Sequence, residues 1–138
     1  MDKDLLDDLV AANRILAEHG VIDAYGHVSM RSPADPRRFF IARAIAPQTV
    51  QAEDILEYDL DARPLDAGGP NSGRDSVSER FIHSEIYRAR PDVMSVVHNH
   101  SPSVIPAAEV RASAPVQDYK RAWPMWREKA LAQAKAQR

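Results

Sequence analysis

An apolar run closing on two histidines one residue apart, Val93-Met94-Ser95-Val96-Val97-His98-Asn99-His100, constrains the fold of this chain more than any other stretch. Its β-branched content predicts a strand, and the two-residue period of a strand turns both imidazoles to one face at its end. Just upstream, Phe81, Ile82, Ile86 and Tyr87 recur at helical spacing, so a helix begins near Ser76 or Ser78 and must stop before Pro91.

The remaining elements follow from the same periods. Leu5, Leu6, Leu9, Val10, Asn13 and Leu16 share one helical face, and Gly20 after His19 ends that helix, which spans about residues 3–19. Arg38-Phe39-Phe40-Ile41-Ala42 reads as a buried strand, and Ile55 to Leu60, with Leu56, Tyr58 and Leu60 alternating, as another. The glycine-rich stretch Asp66 to Gly73 predicts a mobile loop. Val116 to Arg138 is helix-prone, with Pro124 kinking it or marking its start, and its basic residues form a solvated face.

Composition removes several kinds of chemistry. The chain has no cysteine, which excludes disulfides, thiolate metal sites and thiol nucleophiles. A net charge of -2 gives no electrostatic case for nucleic acid or acidic membranes as partners. The absence of an apolar run of ~20 residues, together with a charged Met1-Asp2-Lys3-Asp4 start, predicts a cytoplasmic protein with no membrane partner. A hydrophobic share of 44% across 138 residues is enough for one buried core.

Few side chains are left to carry chemistry. His98 and His100, as neutral imidazoles on one face, suit a shared divalent metal. Glu79 has two readings: in Ser76-Val77-Ser78-Glu79 it matches a capping box, and it is also a carboxylate placed for acid–base work. His83, four residues on, shares its face as an interior histidine or a partner to the site. Arg43, at a strand end, reads either as a structural ion-pair partner or as a guanidinium for a substrate anion. Gly26-His27-Val28-Ser29 could form a turn offering amides and a hydroxyl to an anion.

Taken in order, these pieces resemble the class II aldolase/adducin family over residues ~5–106. The order is Gly26-His27-Val28-Ser29, Phe39 to Arg43, Ser78-Glu79-Arg80-Phe81-Ile82-His83, Arg90-Pro91-Asp92-Val93 and Val96-Val97-His98-Asn99-His100-Ser101-Pro102. The resemblance implies a layered α/β/α domain with a mainly antiparallel central sheet. It implies a small-molecule substrate, homo-oligomers with sites near subunit interfaces, and a divalent ion, zinc or alternatively manganese. Carried over, His98 and His100 are metal ligands, and Glu79 is the acid/base residue that also approaches the metal. His27, Ser29, Arg43 and Ser78 fall at substrate-binding positions. The implied activity is that of a metal-dependent carbon–carbon lyase.

Departures from the family pattern refine this. His27 stands where the family's Gly-Asn-Ile-Ser has Asn, Arg43-Ala44-Ile45-Ala46-Pro47 replaces a Thr-Pro-Ser/Gly-like phosphate loop, and Val77 replaces a serine. Losing small hydroxyls while gaining His27 and Arg43 argues against a sugar phosphate and for a carboxylate-bearing, hydroxylated substrate. That favours decarboxylation, or retro-aldol cleavage of an unphosphorylated acid. The family's third ligand histidine has no counterpart after His100. The pattern predicts a truncated domain: 1–106 as its N-terminal part, a deletion junction at 107–115, and 116–138 as its C-terminal helix. Such a chain would bind zinc weakly and turn over little; the alternative is a non-catalytic remnant or interaction protein retaining the fold.

Overall fold

The protein is described here by a computed structural model covering residues 3–65 and 75–100, with Glu128, Leu131, Ala132, Lys135 and Ala136 of the C-terminal segment, all five helical. Helix α1 (Lys3–Glu18) buries Leu9, Val10, Ala11 and Ile15 along the stripe that the spacing predicts. It ends in a Schellman arrangement. Gly20 takes φ +67°, its amide donates to the Ala17 carbonyl, and the Val21 amide donates to Leu16. Only a residue without Cβ adopts that left-handed conformation cheaply, so the stop at Gly20 is built into the sequence.

Four strands follow: β1 (His27–Arg31), β2 (Arg38–Ala42), β3 (Ile55–Asp59) and β4 (Ser95–His98). They form one antiparallel sheet in the order β3-β2-β1-β4. Helix α2 (Arg80–Ala89) lies between β3 and β4 in sequence. The strand period of two divides the core between the two faces. Val28, Phe40, Ala42 and Ile55 pack with Leu9 and Val10 of α1, with Leu131 of the C-terminal segment against the same cluster. Phe39, Ile41, Leu56 and Tyr58 pack with Val77 and with Tyr87 of α2. This is the expected α/β/α layering. Among the described residues no helix is long and apolar enough to cross a membrane.

Strand β1 corrects the expectation of an anion-binding turn at residues 26–29. His27, Ser29 and Arg31 lie on the α2 side, and all three are buried. A strand with three polar residues facing the core shows no apolar alternation, so the sequence hides it. Arg31 anchors that face: its guanidinium donates to the carbonyls of Val93, Pro36, Tyr87 and Arg90 and lies 4.7 Å from the Tyr87 ring centroid.

Helix α2 starts later than predicted because the capping box does not form. Ser76 Oγ is committed to the Tyr58 hydroxyl at 2.5 Å, and the Glu79 side chain makes no cap hydrogen bond. Arg80 instead satisfies the Val77 and Ala62 carbonyls. The expected loop 66–73 and the 107–115 junction lie outside the described residues.

Candidate active site

Gly26 sets the geometry at the mouth of the sheet. A Cβ there would lie 2.6 Å from Ile22 Cβ and 3.0 Å from the His98 carbonyl, so only glycine lets the end of β4 come this close. The register then places His27 directly opposite His98. Their rings stack at 4.9 Å between centroids, 19° from parallel.

At the end of β4, His98 Nε2 and His100 Nε2 lie 3.0 Å apart. A single ion with metal–nitrogen bonds of about 2.0–2.1 Å spans that separation at an angle of about 90°. The second nitrogen of His100, Nδ1, faces Asp23 Oδ1 at 3.2 Å. A carboxylate on Nδ1 holds the proton there and leaves Nε2 as the lone pair, which is how protein imidazoles are prepared for a metal. Bonding to His100, and then to the Tyr25 amide, draws the Asp23 carboxyl below its usual range. The residues present therefore fit a divalent ion, with His98 and His100 as its nitrogen donors. Among the described residues no third His, Cys, Asp or Glu joins them as a ligand group.

Glu79 points elsewhere. Its Oε2 accepts from the Ser78 hydroxyl at 2.8 Å and stands 3.7 Å from His27 Nε2. The Ser78 bond, with its own backbone amide, lowers the Glu79 carboxyl, so it is ionised at neutral pH. Glu79, Ser78, Ser76 and His27 line one cleft of about 450 Å³ with Tyr25 and Ala44. Of the expected substrate-binding residues, His27 and Ser78 thus share a cleft with Glu79. Ser29 does not: its hydroxyl is buried between His83 and Tyr87. Arg43 is outside the cleft lining, its Nε bonded to Asp54 Oδ1 at 2.7 Å, the structural ion pair that was one of its two readings.

Behind His27 runs a buried polar chain. His27 Nδ1 meets His83 Nε2 at 3.0 Å, His83 Nδ1 meets Ser29 Oγ at 2.6 Å, and Ser29 Oγ meets the Tyr87 hydroxyl at 2.7 Å. Burial, and then the neighbouring His98, push the His27 imidazole down to about 4. Burial and then His27 push His83 down to about 3, while burial raises the Tyr87 phenol to about 12. All three are neutral at pH 7. Sequence reasoning missed Asp23, Arg31 and the Tyr87 link, because each acts on partners more than 50 positions away.

An antiparallel sheet between two helical layers thus carries a His-x-His pair at one strand end, beside a cleft lined by Glu79 and His27. The chain matches the Class II Aldolase and Adducin N-terminal domain over residues 7–133 and belongs to that family. It is 42% identical over 99 residues to Decarboxylase tropJ of Talaromyces stipitatus, covering 70% of this chain and 36% of that protein. It is 34% identical over 105 residues to 3,4-dihydroxyphthalate decarboxylase of Arthrobacter keyseri, covering 72% and 41%. Among solved structures, L-fuculose 1-phosphate aldolase from Glaciozyma antarctica superposes with a TM-score of 0.61 at 31% identity, over 70% of this chain and 40% of that one. The chain spans about two-fifths of the length of the curated relatives it matches.

Proposed function

We propose that this chain forms the metal-binding and proton-transfer half of a carbon–carbon lyase site, acting as a decarboxylase on a small hydroxylated carboxylic acid. The observation that carries this reading is the cleft in which ionised Glu79 faces the neutral, buried His27, next to the convergent imidazoles of His98 and His100. Similarity to two proteins named as decarboxylases supports the choice of reaction. His27 in place of the Asn of the family's Gly-Asn-Ile-Ser, with Val77 in place of a serine, supports the choice of a carboxylate over a sugar phosphate.

His98 and His100 would hold a divalent ion, zinc or manganese, its other positions filled by water, by substrate or by groups outside the described residues. When bound, such an ion supplies Lewis-acid stabilisation of negative charge on a substrate oxygen. Glu79, being ionised, starts as the base. It takes the proton of a substrate hydroxyl and returns it to the carboxyl-bearing carbon as the oxyanion pushes its electrons there. The bond to the carboxyl carbon then breaks, CO2 leaves, and the electron pair of that bond flows back to the oxygen. His27 donates to a substrate oxygen, and Ser78 keeps Glu79 aimed. Cytoplasmic residence and homo-oligomeric assembly belong to the same reading.

The test is CO2 release from hydroxylated aromatic acids, with small hydroxy-keto acids as the aldol comparison, each with and without Zn²⁺ or Mn²⁺. Little CO2 release from this chain is expected, with metal-dependent release recovered in one completed with the rest of a full-length relative and lost there in Glu79→Gln. Metal binding without turnover on any of these acids, in this chain and in one completed with the rest of a full-length relative, would favour the non-catalytic reading.

A further inference from the structure

The chain Tyr87–Ser29–His83–His27 has donors and acceptors at every link, and its two ends fix the direction in which its protons point. At one end the Tyr87 hydroxyl, on a side chain only 1% exposed, meets Ser29 Oγ, the acceptor within reach of its proton. At the other end the Glu79 carboxylate, which can only accept, faces His27 Nε2. With these ends, Tyr87 donates to Ser29, Ser29 to His83 Nδ1, and His83 Nε2–H to His27 Nδ1. His27 then carries its proton on Nε2. The opposite polarity would aim the His27 Nε2 lone pair at a carboxylate and send the Tyr87 proton in search of another acceptor, so it is disfavoured at both ends.

We propose that Ser29, His83 and Tyr87 are positioning residues that lock His27 as an Nε2–H donor, and that this donor recognises a carboxylate oxygen of the substrate in the Glu79 cleft. Two further facts support the assignment of a ligand. His27 is 4% exposed, and its Nε2 is a buried polar atom with no hydrogen-bond partner among the described residues. The 3.7 Å to Glu79 is too long for a hydrogen bond, so the donor is aimed and unspent. A buried donor left unpaired is costly, and an anionic oxygen that satisfies it binds with selectivity over an analogue lacking that oxygen. The proposal deepens the functional reading above and rests on it for the identity of the ligand, but not for the tautomer.

The experiment is nitrogen-15 NMR of the imidazoles in the full chain at pH 7.5. Ring-nitrogen shifts showing both His27 and His83 protonated only on Nε2 are expected, and either ring protonated on Nδ1 overturns the assigned polarity. Ser29→Ala removes the donor that pins His83, so mixed tautomers are expected at both rings; a single unchanged tautomer would show that the chain does not do the locking. The wild-type spectra decide the polarity even if that variant fails to fold. Saturation with 3,4-dihydroxybenzoate should move the His27 Nε2–H proton resonance and leave that of His83 nearly in place. A fixed His27 resonance at saturation overturns the ligand assignment. Expected tautomers, with no lyase turnover even in the completed chain, would contradict the functional reading alone.

Discussion

The Asp23 carboxylate lies 3.2 Å from His100 Nδ1, while the other nitrogen of the same ring faces His98 Nε2 at 3.0 Å. One side chain from the loop after α1 thus sets the tautomer of a residue at the far end of β4. Partners of this kind hold ligand rings in orientation, and their loss weakens metal affinity by about 10- to 100-fold. Asp23→Asn is expected to weaken Zn²⁺ binding by that factor in titration calorimetry with the fold intact. Unchanged affinity would separate Asp23 from the metal site.

Glu79 faces His27 and not the imidazole pair, so base and ligand roles separate in one variant. In a chain completed with the rest of a full-length relative, Glu79→Gln should cut turnover by about 10²- to 10⁴-fold, the usual span for a positioned acid–base group. Zn²⁺ affinity should stay within a factor of a few. A parallel collapse of metal binding would make Glu79 a ligand.

His83 ties stability to acid. Its folded value of about 3 lies below the ordinary 6.5, so between those limits the unfolded chain binds a proton that the folded protein refuses. Its contribution is therefore fully present above pH 6.5 and declines as pH falls toward 3, at about 1.4 kcal/mol per pH unit for one proton in mid-range. Urea midpoints taken from pH 7 to 5 should fall more steeply for the wild type than for His83→Gln. Parallel slopes would mean that His83 is not held neutral.

Arg31 supplies donors to four carbonyls from β4's approach, the turn before β2 and the end of α2. Arg31→Met keeps the apolar stem but strands these acceptors, and buried unsatisfied groups cost about 1–3 kcal/mol each. A loss of about 3 kcal/mol in chemical denaturation is expected. A loss below about 1 kcal/mol would show that water replaces the guanidinium.

Legibility in the sequence followed the range of the interactions. β2 was readable because Phe39 to Ala42 fill both faces of the sheet with apolar side chains. The His98–His100 pair was readable as residue types, but β4 ends at His98, short of the expected strand end, and His100 reaches its neighbour from beyond the strand with its ring held by Asp23. β1 was not readable, since His27, Ser29 and Arg31 are polar residues whose partners on α2 lie over 50 positions away. The capping box at Ser76 was a sound local pattern overridden by a tertiary contact, the Tyr58 hydroxyl. Arg43 shows the same limit: a strand-end arginine looks alike whether it meets a substrate or, as here, Asp54. Residue types announced the candidate chemistry; which groups face one another came only from the packing of α2 on β1.

The convergence of His98 and His100 on one divalent ion is the center of this account, and metal stoichiometry tests it most directly. Equilibrium dialysis against Zn²⁺ with elemental analysis should find one ion per chain in the wild type and none in the His98→Ala/His100→Ala double variant, with helix content unchanged. A double variant that keeps its full equivalent of zinc would contradict the account.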